Sequence, residues 1–183
     1  MNAKNKTLIA IAAGVGVAGL AYALWPKKKI PKSAIVQPFD KDRYMGLWNE
    51  IARLPNVIEK NLKDLTEHYS LNEDGTIKVI TRAYHTQKNK VVEAEGTAKF
   101  VGAPTIGQLK VAYFVPVYLD YNVLDIDEDY RYALISGSGL DYLWILSRDE
   151  DIPNEISLRF LHKATELGFD VGQMEWMNGV KII

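Results

Sequence analysis

The chain has 183 residues, of which 48% are hydrophobic and 25% charged, and its formal net charge at pH 7 is -1. This length fits one ordinary globular domain, and the balanced charge gives no indication of nucleic-acid binding. The sequence contains no cysteine, which excludes disulfides, thiolate nucleophiles, cysteine metal ligands and lipid attachment through a cysteine.

The first 25 residues contain an uncharged, largely apolar run at positions 7–25, with lysines on both sides. A helix that spans a bilayer needs about 20 apolar residues, so we predict that residues 1–25 form an N-terminal hydrophobic helix, an uncleaved membrane anchor. A cleaved secretory signal is the alternative, favoured by the triplet at 21–23 and disfavoured by the lysines that follow it. A third interpretation is a tail that packs on the folded domain. The lysines do not decide which side of the membrane the domain faces.

Residues 26–38 are predicted to form a stiff basic tether. Pro26, Pro31 and Pro38 disfavour a helix, and the lysines at 27–29 suit anionic lipid head groups. Residues 39–183 are then predicted to form the folded domain.

Beyond Phe39, runs rich in β-branched and aromatic residues alternate with short turns. The pair Asp74-Gly75 between two such runs is a strong hairpin signal. Eight strands are predicted, at residues 46–53, 66–71, 76–84, 91–101, 107–115, 118–126, 130–136 and 140–147. A helix at 153–167 follows, with a proline in its first turn and Gly168 as its stop, and a short strand at 173–177 ends the domain.

Short connections between all eight strands favour an up-and-down order. We therefore predict an all-β fold, an eight-stranded up-and-down antiparallel β-barrel with a C-terminal α-helix, because closure into a barrel removes exposed strand edges. Every second residue in several strands is apolar or aromatic, which indicates an inward face. Small residues such as Ala94, Gly96 and Ala133 interrupt that face. From the pattern alone, a packed interior and a hollow one both remain open.

Three sequence blocks resemble the conserved blocks of the lipocalins. They are GLWNEIARLPN at 46–56, DYNV at 120–123 with DYRYAL at 129–134, and YLWILSR at 142–148. The match is most similar to the bacterial lipocalins, which group with apolipoprotein D and the plant temperature-induced lipocalins. Asn49 departs from the family, which often has tyrosine directly after the tryptophan of the first block.

The resemblance implies a barrel that is closed at one end. In such a calyx Trp48 plugs the floor, Arg148 lies across it in a cation–π contact, and Gly46 belongs to the same structural block. Glu50 faces the lower cavity, either as a satisfied internal hydrogen-bonding group or in contact with a ligand. Arg53 is predicted to be a surface charge near the open end.

The resemblance also favours a hollow interior that binds small hydrophobic ligands. An apolar cavity with tyrosine hydroxyls suits an amphiphile, and fatty acids or lysophospholipids are the expected ligands, bound for transport or storage at the cell envelope. The protein is expected to be a monomer or homodimer, anchored in a membrane or, after cleavage, periplasmic or secreted. The predicted ligand-binding residues are Glu50, Ala52, Tyr69, Val79, Ala94, Val111, Tyr113, Tyr121, Val123, Ala133, Ile135, Tyr142 and Trp144.

Two other functions compete with ligand transport. One is a lipid-modifying enzyme in which Glu50 acts as an acid or base in an apolar pocket. The other is a structural stress protein of the envelope with no dedicated ligand. Neither a cofactor nor a metal is predicted, because His68, His85 and His162 share no metal-ligand spacing.

Overall fold

The computed structural model describes residues 29–114 and 116–177. Two helices are present in that part of the chain, the short α1 (Lys41–Tyr44) and α2 (Asn154–Leu167), together with single 3₁₀ turns at Lys32–Ala34 and Val171–Gln173. The strands are β1 (Gly46–Arg53), β2 (Leu62–Leu71), β3 (Ile77–His85), β4 (Lys90–Phe100), β5 (Gln108–Phe114), β6 (Val117–Ile126), β7 (Tyr132–Ser136), β8 (Leu143–Ser147) and β9 (Glu175–Trp176).

The first eight strands form a closed antiparallel barrel. Each strand pairs with the next along the chain, and β1 pairs with both β2 and β8, which closes the sheet. The short β9 adds to the outer edge of β1, where Ala52 pairs with Trp176. The predicted barrel and C-terminal helix are confirmed. The predicted N-terminal helix at 1–25 lies outside the described residues. Within the described ranges, no helix has the length and apolar character needed to span a membrane.

Strand β2 begins four residues earlier than the sequence predicts. Its pairing with β3 shifts register between Lys63 and Thr66, and Asp64 there has a positive φ of 53°. The irregular step falls at two polar residues, Lys63 and Asp64. The run of strand-forming residues can therefore be recognised in the sequence only from Thr66 onward.

Two apolar clusters lie on opposite sides of the barrel wall. The inner cluster fills the barrel toward its closed end and includes Phe39, Tyr44 and Trp48. The outer cluster joins α2, through Phe160 and Ala164, to the outward faces of β1, β7 and β8. Because these strands are covered on both faces, they carry apolar residues at consecutive positions rather than in alternation.

A β-bulge in β1 changes which face its last residues occupy. Glu50 pairs with Leu146 and Ala52 with the adjacent Ile145, so Ile51 is the extra residue. Beyond the bulge, Ala52 lies in the outer cluster and Arg53 pairs with the inward-facing Trp144. The prediction that Ala52 lines the cavity is therefore wrong. The prediction that Arg53 is a surface charge is also wrong, because only 7% of its surface is exposed.

The segment before the barrel packs against it. Ile35 is buried, the Val36 amide donates to the Val123 carbonyl at 2.9 Å, and the Gly107 amide donates to the Val36 carbonyl at 3.0 Å. Residues 35–36, which the sequence assigns to the tether, therefore belong structurally to the barrel.

Candidate functional site

The closed end of the barrel is built around Trp48. Its indole is fully buried, its Nε1 donates to the Tyr44 carbonyl at 2.9 Å, and the Arg148 guanidinium lies 3.8 Å from the ring centroid. The Tyr44 ring, at the end of α1, packs 5.1 Å from the indole ring. The structure thus places Trp48 and Arg148 in the predicted stack at the barrel floor.

Arg148 also ties α1 and its flanks to the floor. Its guanidinium donates to backbone carbonyls of the segments before and after Gly46 and of the β6–β7 turn: Arg43, Tyr44, Met45, Leu47 and Tyr130. Gly46 has φ +97°, and a Cβ there would lie 3.2 Å from an Arg148 nitrogen. Glycine is favoured at this position by both the backbone conformation and the close approach.

Above the floor, Glu50 and Arg53 form a buried ion pair. Arg53 Nη1 donates to Glu50 Oε1 at 2.7 Å, and both side chains are almost inaccessible. Arg53 Nη2 donates to the Leu62 carbonyl at 2.8 Å. Glu50 is therefore an internal hydrogen-bonding group, which agrees with one of the two interpretations of this residue drawn from sequence.

Glu59 extends this polar group from the loop between β1 and β2. The Trp144 indole nitrogen donates to both of its carboxylate oxygens, at 3.0 and 2.9 Å, and Arg53 Nε lies 3.8 Å from one of them. Burial raises the pKa of Glu50 well above its ordinary value, with Glu59 adding to the shift and Arg53 opposing it. Burial also raises the pKa of Glu59, opposed by its hydrogen bonds to Asn56 and Trp144.

A second polar group lies between this pair and the floor. The Tyr44 and Tyr121 hydroxyls are 2.5 Å apart, those of Tyr121 and Tyr69 are 3.0 Å apart, and Tyr69 donates to Glu67. Burial raises the pKa of Glu67 to about 7, with the Tyr69 hydrogen bond opposing the shift. We call these four residues the hydroxyl chain.

Thr81 and Tyr113 flank the hydroxyl chain on the neighbouring strands. Their hydroxyls are 2.6 Å apart, and Thr81 pairs directly with Glu67 across β2 and β3. Glu59, Glu67 and Thr81 are not among the site residues predicted from the sequence. The available signal for Glu67 was its position two residues before Tyr69, because residues two apart in a strand share a face.

The predicted cavity residues other than Ala52 lie on the inward side of the barrel. Ala94 pairs with Thr81, and Tyr142 stacks on Trp144 with ring centroids 5.8 Å apart. Most of the set is buried, whereas Tyr113 and Trp144 are partly exposed. The others in the inner cluster are Tyr69, Val79, Val111, Tyr121, Val123, Ala133 and Ile135.

The small residues on the inner wall do not all leave space. A Cβ on Gly96 would lie 2.9 Å from the Tyr113 ring, and one on Gly137 would lie 2.8 Å from Tyr142. These two glycines allow aromatic rings to lie against the wall. At these two positions the interior is therefore bordered by the aromatic side chains rather than by the glycines.

A cleft of about 740 Å³ opens beside the mouth of the barrel. It lies between the β1–β2 loop, the turn before β8 and the segment that leads into β9. Three of its lining residues adjoin the inward-facing Trp144: Arg53, Glu59 and Tyr142. Its lining comprises residues 53–57, 59–61 and 140–142 with Asp170, Gln173 and Glu175. No group of three or more histidine or carboxylate side chains suited to a metal ion occurs among residues 29–114 and 116–177.

A closed eight-stranded barrel with one plugged end, one open end and a helix on its outer wall defines the calyx class of single-domain β proteins. Residues 39–179 match the family described as "Lipocalin-like domain". The chain belongs to the lipocalin family, as the three sequence blocks predict.

Relatives occur in bacteria and plants. The outer membrane lipoprotein Blc of Escherichia coli (strain K12) is 44% identical over 143 residues, which cover 78% of this chain and 81% of that protein. Temperature-induced lipocalin-1 of Arabidopsis thaliana is 36% identical over 148 residues, covering 76% and 79%. The crystal structure of the cockroach allergen Per a 4 superposes with a TM-score of 0.66 at 21% identity, covering 85% of this chain and 96% of that one.

Proposed function

We propose that this protein binds small hydrophobic ligands, fatty acids or lysophospholipids, inside the barrel and carries or stores them at the cell envelope. The observation that carries the proposal is the partly exposed pair Tyr113 and Trp144 on the inward face of a barrel whose opposite end is sealed. Aromatic side chains with a polar tip suit an amphiphile. Membership of the lipocalin family supports the same proposal.

Binding rather than catalysis is the proposed mode of action. Glu50, the sequence-based candidate for an acid or base, is held by Arg53 at 2.7 Å and is almost inaccessible. A carboxylate that is paired and buried in this way is not presented to a substrate.

Long-chain ligands are expected to change the fluorescence of Trp144 saturably. Each added methylene contributes up to about 0.8 kcal/mol when buried, so affinity should rise with chain length and then level off when the interior is filled. A homologous series of saturated fatty acids and lysophospholipids, titrated at constant protein concentration, measures this dependence. The Trp144→Phe variant is the control that assigns the signal, since three other tryptophans are present. Binding without any chain-length dependence would contradict an apolar ligand site.

Filling the interior is expected to abolish that binding. Ala94 is buried beside Thr81 on the inner wall, so Ala94→Trp should occupy space that the ligand needs, as should Ala133→Trp nearer the floor. Ala103→Trp, in the exposed turn before β5, is the matched control and should bind normally. The fold is expected to survive at a cost of about 1–3 kcal/mol. If the inner variants unfold while the control does not, the interior is packed and the protein has no ligand site there.

We also propose that residues 1–25 anchor the protein in a membrane and that the basic residues after them adjoin lipid head groups. Blc is named an outer membrane lipoprotein, which supports an envelope location. This chain lacks the cysteine that thiol-linked lipids require, so the apolar run is the proposed means of attachment.

The anchor has a direct test. The full chain is expected to sediment with membranes and to stay there in high salt, as an inserted helix does and a charge-bound segment does not. A chain that begins at Lys29 keeps the packed residues 35–36 and should be soluble with unchanged ligand affinity. If the full chain is expressed and the protein recovered from the soluble fraction begins at Leu24, a cleaved signal is established instead.

A further inference from the structure

Glu67 lies inside the barrel and remains partly exposed there. It pairs in register with Trp48 and with Thr81, both of which are buried inward-facing residues, so its exposed surface faces the barrel interior. The accessible interior is thus lined by a carboxyl group as well as by Tyr113 and Trp144. A purely apolar ligand at this depth would remove water from Glu67 without replacing its hydrogen bonds.

The positive charge that Arg53 brings into the barrel lies beside carboxyl groups other than that of Glu67. Three carboxyl groups, those of Glu50, Glu59 and Glu67, face the interior, and Arg53 is paired with the first and lies near the second. Within residues 29–114 and 116–177, no lysine or arginine forms an ion pair with Glu67. Its partners are hydroxyl groups, chiefly that of Tyr69 with those of Tyr113 and Thr81 beside it, and a hydroxyl supplies a hydrogen bond and no charge.

An apolar wall separates Glu67 from the open end. Leu62 and Leu65 precede it on β2, and Ala83 and Val92 lie beside them on β3 and β4, where they form one buried cluster. Below Glu67 the floor is closed by the tyrosines of the hydroxyl chain and by Trp48. A ligand that reaches Glu67 with its polar group can therefore lay its apolar part against the wall toward the mouth.

From this arrangement we infer that Glu67 determines ligand specificity, selecting amphiphiles that carry a protonated amine and enter the barrel with that group first. This inference rests on the proposed function and names the head-group chemistry. An ammonium group donates hydrogen bonds to the Glu67 carboxylate and supplies the counter-charge that the barrel lacks there. An inward carboxylate would instead meet like charge, so anionic amphiphiles bind more weakly or with their head group at the mouth.

Three probes with the same chain test the head group directly: dodecylamine, dodecanol and dodecanoic acid, titrated by Trp144 fluorescence at pH 8.5. At this pH Glu67, whose pKa is about 7, is ionised, and the amine is protonated. Wild-type protein should bind the amine at least about tenfold more tightly than the acid, because a charge-assisted hydrogen bond replaces a repulsion.

The variant Glu67→Gln keeps the shape of the side chain and removes its charge. It should weaken amine binding about tenfold and change dodecanol binding less than about twofold. Glu95→Gln is the matched control, since Glu95 is an exposed carboxylate of β4 paired with Lys78, and it should leave all three affinities unchanged. The wild-type ranking of the three probes does not depend on whether the Gln variant folds.

The outcomes separate this inference from the proposed function. If dodecanol and dodecanoic acid bind and the amine has no advantage, or if Glu67→Gln folds and leaves amine binding unchanged, Glu67 does not select the head group although the barrel binds amphiphiles. If none of the three probes changes the fluorescence, the proposed ligand site itself is wrong.

Discussion

Replacing Arg53 by alanine is expected to lower the free energy of unfolding by about 3–5 kcal/mol, the range for a buried ion pair that loses one partner. The guanidinium holds Glu50 at 2.7 Å and also bonds the Leu62 carbonyl at the start of β2. Without it, Glu50 remains in the interior with no positive partner at that distance. Urea denaturation at pH 8 measures the loss.

The matched control for Arg53→Ala is Arg82→Ala. Arg82 also pairs with a glutamate, Glu93, at 2.6 Å, but on the exposed outer face of the barrel, so its removal should cost no more than about 1 kcal/mol. Adding Glu50→Gln to Arg53→Ala should recover part of the loss, since the side chain at position 50 then carries no charge that lacks its partner. Equal effects of the two arginine variants would contradict the burial of Arg53.

Trp48→Ala is expected to destabilise the barrel by about 3–5 kcal/mol, because it removes a fully buried indole and leaves a cavity at the floor. Arg148→Ala should cost less, about 1–3 kcal/mol, since water can reach several of the carbonyls that it bonds. Thermal and urea denaturation measure both changes.

The neighbouring variant Leu47→Ala is the control for the floor. Leu47 is about half exposed, and its truncation should change stability by no more than about 0.5 kcal/mol. A melting temperature for Trp48→Ala within a degree of wild type would show that the indole does not support the closed end.

The barrel and its floor follow from the sequence because their signals are local. Turn residues and alternation define the strands, and the blocks around Trp48 and Arg148 place the floor through the family resemblance. Ala52 and Arg53 are assigned to the wrong faces of β1. Strict alternation counted from the inward-facing Glu50 predicts that Ala52 points inward and Arg53 outward. The bulge at Ile51 inserts one residue, and every later side chain in the strand changes face.

The interior carboxyl groups are harder to predict for a different reason. Glu59 reaches Trp144 from a loop, and that contact joins residues 85 positions apart in the chain. Glu67 lies on a strand whose first half is obscured by the irregular step at Asp64. Charged residues in a strand are ordinarily assigned to the solvent side, whereas here neighbouring hydroxyls and the indole nitrogen make their burial tolerable.

The junction of β1 with β8 also bears on the order in which the barrel assembles. Each pairing between consecutive strands closes a short loop, but the Arg148 hydrogen bond to Leu47 joins residues 101 positions apart. The entropy lost on loop closure grows with loop length, so the hairpins are expected to form first and the β1–β8 seam last. Interactions made after the rate-limiting step slow unfolding without speeding folding. We therefore expect loss of the stack of Trp48 and Arg148 at this seam to speed unfolding of the barrel more than it slows folding.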